Sequence, residues 1–385
     1  MRILLINYEY PPVGAGSATA ARAIARSLVE AGHSATVLTT RFGELAGVRD
    51  EDGVRVIRVA SRRGRREAAS VWEMASFVLK AGTAVRDVVR AGRIDGMIAF
   101  FSMPGGPVAW WAHLAGGVPY VVSLRGGDVP GAESGLRLVH SALAPFRRCI
   151  LRSARAIVAN SEGLKAMAEK ADPFPVRVIS NGVDTAFYKP SASPRSAAKP
   201  ARLLFVGRFQ SQKNLPWLLD QLADVRGPAT RPFELDLVGD GPLRGKIEEH
   251  TRALHLSDVV RFHGWLARED LRGLYQSADL ILNPSLYEGM PNVVLEAMAC
   301  GCPALASRVA GNDAVVNDGV TGWLFEPGDA QGFRERLREL LARPEEAIPL
   351  GIAARERAQR EFSWQRTTQS YLELLAAPSP TPPKA

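Results

Sequence analysis

Short apolar runs recur along the chain, separated by longer stretches with helical spacing. In the first half, the runs over 3–7, 35–39, 54–59, 97–101, 120–124, 156–160 and 176–179 predict strands. They are nearly continuous in apolar residues and do not alternate. That pattern belongs to strands buried on both faces of a parallel sheet, with helices between them. One such helical pattern covers 18–31 and stops at Gly32, a residue suited to ending a helix. Periodicity is lost over the Pro/Ser/Ala stretch 190–200 and then restarts, with strand-like runs over 203–206, 234–238, 259–262, 280–283, 303–306 and 323–325. The expected fold class is therefore α/β: two doubly wound Rossmann-like domains in series, facing a central cleft. Ligands of such sheets bind outside the carboxyl ends of the strands. The expected boundaries are 1–190 for the first domain, 191–200 for a linker, 201–361 for the second domain, and 378–385 for a Pro-rich disordered tail.

Composition agrees with this and narrows the location. The chain has 385 residues, 46% hydrophobic and 23% charged, the balance of a soluble globular protein of about two domains. The N-terminus carries no apolar h-region, and no run approaches the ~20 apolar residues of a membrane helix. Three cysteines make no disulfide framework, which predicts a reducing, cytoplasmic setting. Cys300 and Cys302 lack the spacing of a zinc site and read as small buried residues. No metal and no cofactor are expected.

The net charge of +8 favours an anionic partner. Arg62, Arg63, Arg65 and Arg66 form one cluster; Arg147, Arg148, Arg152 and Arg155 form another. Two readings stay open: a solvated surface, or a peripheral patch for the inner face of a membrane, where each basic side chain contributes ~1 kcal/mol. Nucleic acid is excluded as a partner, since no basic stripe interleaved with aromatic residues is present.

Four segments carry candidate chemistry. From Asn283 to Ala299 a strand gives way to a helix starting near Pro291, with Glu288 in the loop and Glu296 just over one turn into the helix. The amides of Gly289, Met290 and Asn292 would face the cleft as an anion cradle. The two carboxylates suit sugar hydroxyls, which donate to them. An ordinary helix start with a dipole-complementing acid is the plainer alternative. Arg208 and Lys213 follow the first strand of the second domain and could both reach a diphosphate, or simply line a basic loop. Gly14 and Gly16 follow the first strand of the chain, where a ligand can approach bare backbone. The third glycine and the ribose-binding acid of a dinucleotide site are missing there. Arg125 and Asp128, across two glycines, could face the cleft, or Asp128 could cap a turn.

Together these segments resemble the family 4 glycosyltransferases, which have the GT-B fold. The resemblance rests on Glu288 and Glu296 followed by 297–301, on 206–208 with 213–214, and on 237–242, 181–184 and 318–322. It covers residue 2 to about 375 and is looser in the first half. It implies a retaining, metal-independent transfer from a UDP- or GDP-sugar to a hydroxyl of a lipid-linked or saccharide acceptor. Glu288, Arg208 and Lys213 would be catalytic. The donor would be held by Gly16, Arg208, Lys213, Leu266, Glu288, Gly289, Met290, Pro291, Asn292 and Glu296. Gly14, Arg125 and Asp128 would lie on the acceptor side. A final helix over 362–376 would pack back on the first domain. The chain departs from the family pattern in two places. No histidine stands in the loop around Arg125, and Ala314 occupies a position often held by glutamate. A catalytically inactive nucleotide-sugar-binding scaffold and a GT-B epimerase are the alternatives. Intact Glu288, Glu296, Arg208 and Lys213 argue against the scaffold.

Overall fold

The computed structural model describes residues 1–14, 16–65, 69–131, 137–192, 200–228 and 230–377. Ala15, Arg66, most of the expected linker and the Pro-rich tail lie outside the described residues. The chain divides into two units: Met1–Gly182 with Trp364–Ala385, and Val183–Ser363. Residues 183–190, expected in the first domain, belong to the second unit. Val183 donates its N–H to Phe362 O (2.7 Å), and Tyr188 is buried in the second unit's core.

The first unit is an eight-stranded sheet. Its strands are β1 (Arg2–Ile6), β2 (Ser34–Thr40), β3 (Gly47–Glu51), β4 (Val54–Val59), β5 (Gly96–Phe100), β6 (Tyr120–Ser123), β7 (Ala156–Ala159) and β8 (Val176–Val178). They run in the order β3-β4-β2-β1-β5-β6-β7-β8. All pair in parallel except β3, which is antiparallel to β4. The apolar runs are continuous because both faces are covered. Ile3 and Leu5 pack with helices Gly16–Glu30 and Trp364–Ala376, while Leu4 and Ile6 pack with Val71–Gly92 and Gly106–Gly116.

β3 was not expected. Its side chains are mostly exposed, so it leaves no hydrophobic period to read. Its turn does leave a trace: Glu51 pairs with Val54, and Asp52 and Gly53 both have positive φ (56° and 77°). That is a two-residue hairpin loop with the Asp-Gly preference of a type I′ turn.

The second unit is a six-stranded parallel sheet made of β9 (Ala201–Val206), β10 (Phe233–Val238), β11 (Val260–Gly264), β12 (Leu280–Asn283), β13 (Ala304–Ser307) and β14 (Gly322–Phe325). The order is β11-β10-β9-β12-β13-β14. Along β9, Leu203 and Phe205 enter one apolar layer, and Leu204 and Val206 the other. Cys300 and Cys302 are buried in the latter. No helix among the described residues is long and apolar enough to cross a membrane.

Candidate active site

In the second unit the chemistry gathers at the carboxyl ends of β9 and β12. Two loops are zipped together after β9 and β10: Gly207 N–H donates to Val238 O (3.0 Å), and Phe209 N–H to Asp240 O (2.9 Å). The zip demands glycine at 239. Its φ is +126°, and a Cβ there would sit 2.0 Å from Gly207 O, far inside contact distance. Arg208 is held between these paired residues. Its backbone is fixed by these bonds, and its guanidinium has no protein acceptor among the described residues.

Lys213 ends the short turn Ser211–Lys213, and its Nζ lies 2.5 Å from Glu288 Oε1. Both side chains are largely buried, at 13% and 7% exposure. The two loops are also tied through backbone: Leu286 N–H donates to Gln212 O (2.8 Å), and Gln212 Nε2 to Tyr287 O (2.7 Å). Behind Glu288 lies a buried polar network. Ser285 Oγ is 2.7 Å from Glu288 Oε1 and 2.6 Å from Asn283 Oδ1. Asn283 Nδ2 donates to Asn312 Oδ1 (3.1 Å), and Asn312 Nδ2 to Ser307 O (2.8 Å). Such a network aims a carboxylate more rigidly than apolar packing could.

Gly311 closes the other side. A Cβ at this position would lie 2.7 Å from both Cβ and O of Glu288. Gly311→Ala is therefore expected to displace the Glu288 loop. Turnover should fall by about tenfold or more for a misplacement on the ångström scale, with a stability loss of about 1–3 kcal/mol from overpacking. Steady-state kinetics beside urea unfolding checks this; unchanged kcat would show that the loop absorbs the methyl group.

Helix Asn292–Ala299 starts from Pro291. The expected cradle of three amides is corrected in part. Asn292 N–H is engaged by Met290 O (3.1 Å), and Val294 and Leu295 donate to Pro291 O (3.0 and 3.2 Å). Gly289 N–H has no partner among the described residues. The Met290 side chain is buried in the apolar layer with Val294, so it packs. Leu266 is half-buried against the same layer, next to the exposed Trp265.

One turn on, Glu296 Oε2 accepts from Tyr275 Oη (2.9 Å). Burial raises its carboxyl to about 7; the Tyr275 hydroxyl, the Arg268 charge and the Tyr188 hydroxyl pull the other way. Arg268 is itself sandwiched, 4.0 Å from the Phe187 ring centroid and 3.0 Å from Asp184 Oδ2. Tyr275, Tyr188 and Arg268 escaped sequence reading because each sits in a helix or loop remote from Glu296 along the chain, with no local motif.

In the first unit, Gly16 opens helix Gly16–Glu30. Gly14 has φ +93° and lies against the Glu9 side chain. Glu9 accepts from Ser17 Oγ and is 3.7 Å from Arg63; the sequence reading passed over it. Arg125 and Asp128 are corrected. Asp128 is buried, and its carboxylate accepts from the amides of Ser102 (2.6 Å), Arg125 (2.9 Å) and Gly126 (3.2 Å). It is the cap of its turn and has no face left for an acceptor. Burial pushes its carboxyl up while these amides oppose the shift. Arg125 is spent internally as well, on Asn181 Oδ1 (2.7 Å) and the face of Phe100 (4.5 Å). Asp128→Ala should cost about 2 kcal/mol or more, since it orphans buried amides. Urea unfolding measures the loss, and Asp128→Asn should recover part of it.

The two basic clusters also need correction as uniform surface patches. Arg63 is buried beneath Glu9 and lies over the Tyr8 ring (5.4 Å). Arg147 is buried against Asp172 (2.7 Å), and Arg155 donates to Leu375 O. Arg62, Arg65, Arg148 and Arg152 remain exposed. His113 sits on helix Gly106–Gly116 with its Nδ1 at Val118 O (3.0 Å).

Residues 200–343 match the family described as glycosyl transferases group 1, and residues 15–182 match the glycosyl transferase 4-like domain. The D-inositol 3-phosphate glycosyltransferase of Saccharomonospora viridis is 32% identical over 296 residues, covering 70% of this chain and 67% of that protein. Sucrose-phosphate synthase from Thermosynechococcus elongatus superposes with a TM-score of 0.84 at 26% identity, over 98% of this chain and all (100%) of that one. Anabaena Alr3699/HepE in complex with UDP gives a TM-score of 0.76 at 22% identity, over 98% and 100%. The chain belongs to the family 4 glycosyltransferases and has their GT-B fold. It is a transferase that draws on nucleotide-sugar donors.

Proposed function

We propose that the protein moves a sugar, with retention of anomeric configuration, from a UDP- or GDP-sugar to a hydroxyl of a saccharide or lipid-linked acceptor. The observation that carries this is the pairing of Lys213 with Glu288 at 2.5 Å, while Arg208, on the same loop after β9, has a guanidinium that no described protein group engages. A departing nucleotide diphosphate builds up negative charge, and preorganised cations stabilise it without a metal. In this reading Arg208, Lys213 and the Gly289 amide take the diphosphate. Glu288 accepts from donor-sugar hydroxyls and Glu296 from the ribose. Leu266 borders the base, and Met290, Pro291 and Asn292 shape the loop. Gly16 offers bare backbone at the start of its helix. Attack comes from the face the leaving group departs, with the leaving phosphate helping to take the acceptor proton.

One neighbour solved in complex with UDP supports the donor class, and a relative named a D-inositol 3-phosphate glycosyltransferase is in keeping with a saccharide-like acceptor. A peripheral membrane contact now rests on the exposed Arg62, Arg65, Arg148 and Arg152 only. Thermal-shift measurements with UDP, GDP and ADP test the reading. A bound nucleotide raises the melting temperature by mass action. No shift with any of the three would overturn it, and shifts without sugar transfer or donor hydrolysis would favour the scaffold alternative.

A further inference from the structure

Beside the turn that Gly14 and Glu9 build, the first unit carries a second concave site. Arg41 follows β2, and residues 61–65 follow β4, its parallel neighbour. Both segments therefore stand at the carboxyl ends of strands, where open α/β sheets take their ligands. Between them is an open depression of about 1060 Å3, lined by Arg41, Ser61, Arg62, Arg65, Ser70 and Trp72 among others.

Among the described residues its lining is predominantly cationic. The guanidinium groups of Arg41, Arg62 and Arg65 have no protein acceptor among the described residues. Glu73, the one carboxylate lining the depression among those residues, is already spent. Its oxygens accept from Gly64 N–H (2.6 Å) and Ser70 N–H (2.7 Å). The loop is also held still. Arg62 N–H donates to Ser76 Oγ (2.9 Å), and Arg63 Nε to Arg65 O (2.9 Å), so the arginines start from a pinned backbone. Trp72 stands 84% exposed at the start of helix Val71–Gly92, where its ring can cover a sugar face or an alkyl chain. Three forked cations around one hollow match the oxygens of a phosphate.

We propose that this depression holds a phosphate group of the acceptor, so that the enzyme glycosylates an anionic acceptor and not a neutral sugar. The inference rests on the reading of the first unit as the acceptor unit. The phosphate belongs either to a lipid headgroup or to a free phosphorylated saccharide.

The test uses the full chain with its donor site saturated by UDP, which keeps phosphate away from Arg208 and Lys213. Inorganic phosphate is titrated against the wild type and the Arg41→Gln/Arg62→Gln/Arg65→Gln variant. Because the three residues are exposed, the variant should fold, and its melting temperature reports that directly. Phosphate should bind the wild type and be weakened by about tenfold or more in the variant, with the UDP response unchanged. Cosedimentation with phosphatidylcholine vesicles, with and without phosphatidic acid, separates the sources. Vesicle binding that needs phosphatidic acid, is competed by phosphate and is lost in the variant assigns a lipid headgroup. Phosphate binding with no vesicle binding assigns a soluble acceptor. Equal phosphate affinity in both proteins, or none in either, overturns the proposal. A chain that also fails to respond to UDP would instead overturn the transferase reading beneath it.

Discussion

Replacing Lys213 with alanine is expected to lower kcat by about 10²–10³-fold, the usual cost of one preorganised donor to a developing oxyanion. The ammonium stands 2.5 Å from Glu288 and is 13% exposed, so in the proposed role it would meet the leaving diphosphate where water screens little. The same removal strips a largely buried carboxylate of its counter-charge. Breaking such a pair from one side costs about 3–5 kcal/mol of stability, and that loss must not be mistaken for the kinetic one. Two further variants separate them. Lys213→Arg keeps the charge and should retain more kcat than alanine. Lys213→Ala/Glu288→Gln removes the orphaned charge and should recover stability without recovering kcat. Steady-state kinetics with urea unfolding on all three reads both effects. A Lys213→Ala enzyme within about twofold of wild-type kcat would remove Lys213 from the phosphate-stabilising role.

Nucleotide affinity should depend on pH through Glu296. Its carboxyl is raised to about 7 by burial, and in the proposed role only the ionised form would accept from both ribose hydroxyls. UDP binding should tighten by about tenfold between pH 6 and pH 8, as expected for one group titrating near the middle of that interval. Glu296→Gln should flatten the profile and weaken binding at pH 8 by roughly 10- to 100-fold, the worth of a hydrogen bond to a charged group. Stability runs in the opposite direction. The folded value exceeds the ordinary 4.5, so the folded chain holds more proton between the two. The contribution of Glu296 to stability is therefore whole below 4.5 and is lost as pH climbs towards 7. The glutamine variant lacks that loss. Calorimetric UDP titrations across pH, with melting temperatures of the free protein, check both signs. A pH-independent wild-type affinity would place the ribose elsewhere.

The sequence is most legible where one residue's environment is set by its own neighbours. Arg208 and Gly239 belong to strand ends that the apolar runs already mark. Glu288 and Glu296 are placed by a loop and a helix start that Pro291 announces. Around Asp128 the sequence left two readings, a cleft residue or a cap. Local spacing could not choose, because the deciding partner, Ser102 N–H, comes from a different strand end. The arginine clusters show the same limit. Arg62 and Arg63 are adjacent and chemically alike, yet one is exposed and the other buried under Glu9. β3 was missed for the reverse reason: an exposed edge strand needs no hydrophobic pattern, and only its Asp-Gly turn betrays it.

By itself, then, the sequence determined the parallel strands of the two sheets, the loops at their carboxyl ends and the residue types offered there. Burial on both faces of a sheet and glycine at a forced backbone position are written in local composition. The tertiary structure alone decided which charges are already used. It paired Lys213 with Glu288, gave Glu296 the buried setting of Tyr275 and Tyr188, consumed Asp128 and Arg125 inside the first unit, and left Arg41, Arg62 and Arg65 around one hollow. The physical reason is that a side chain's free energy depends on its partners and its access to water. Both are set by elements far apart in the chain and close only after folding.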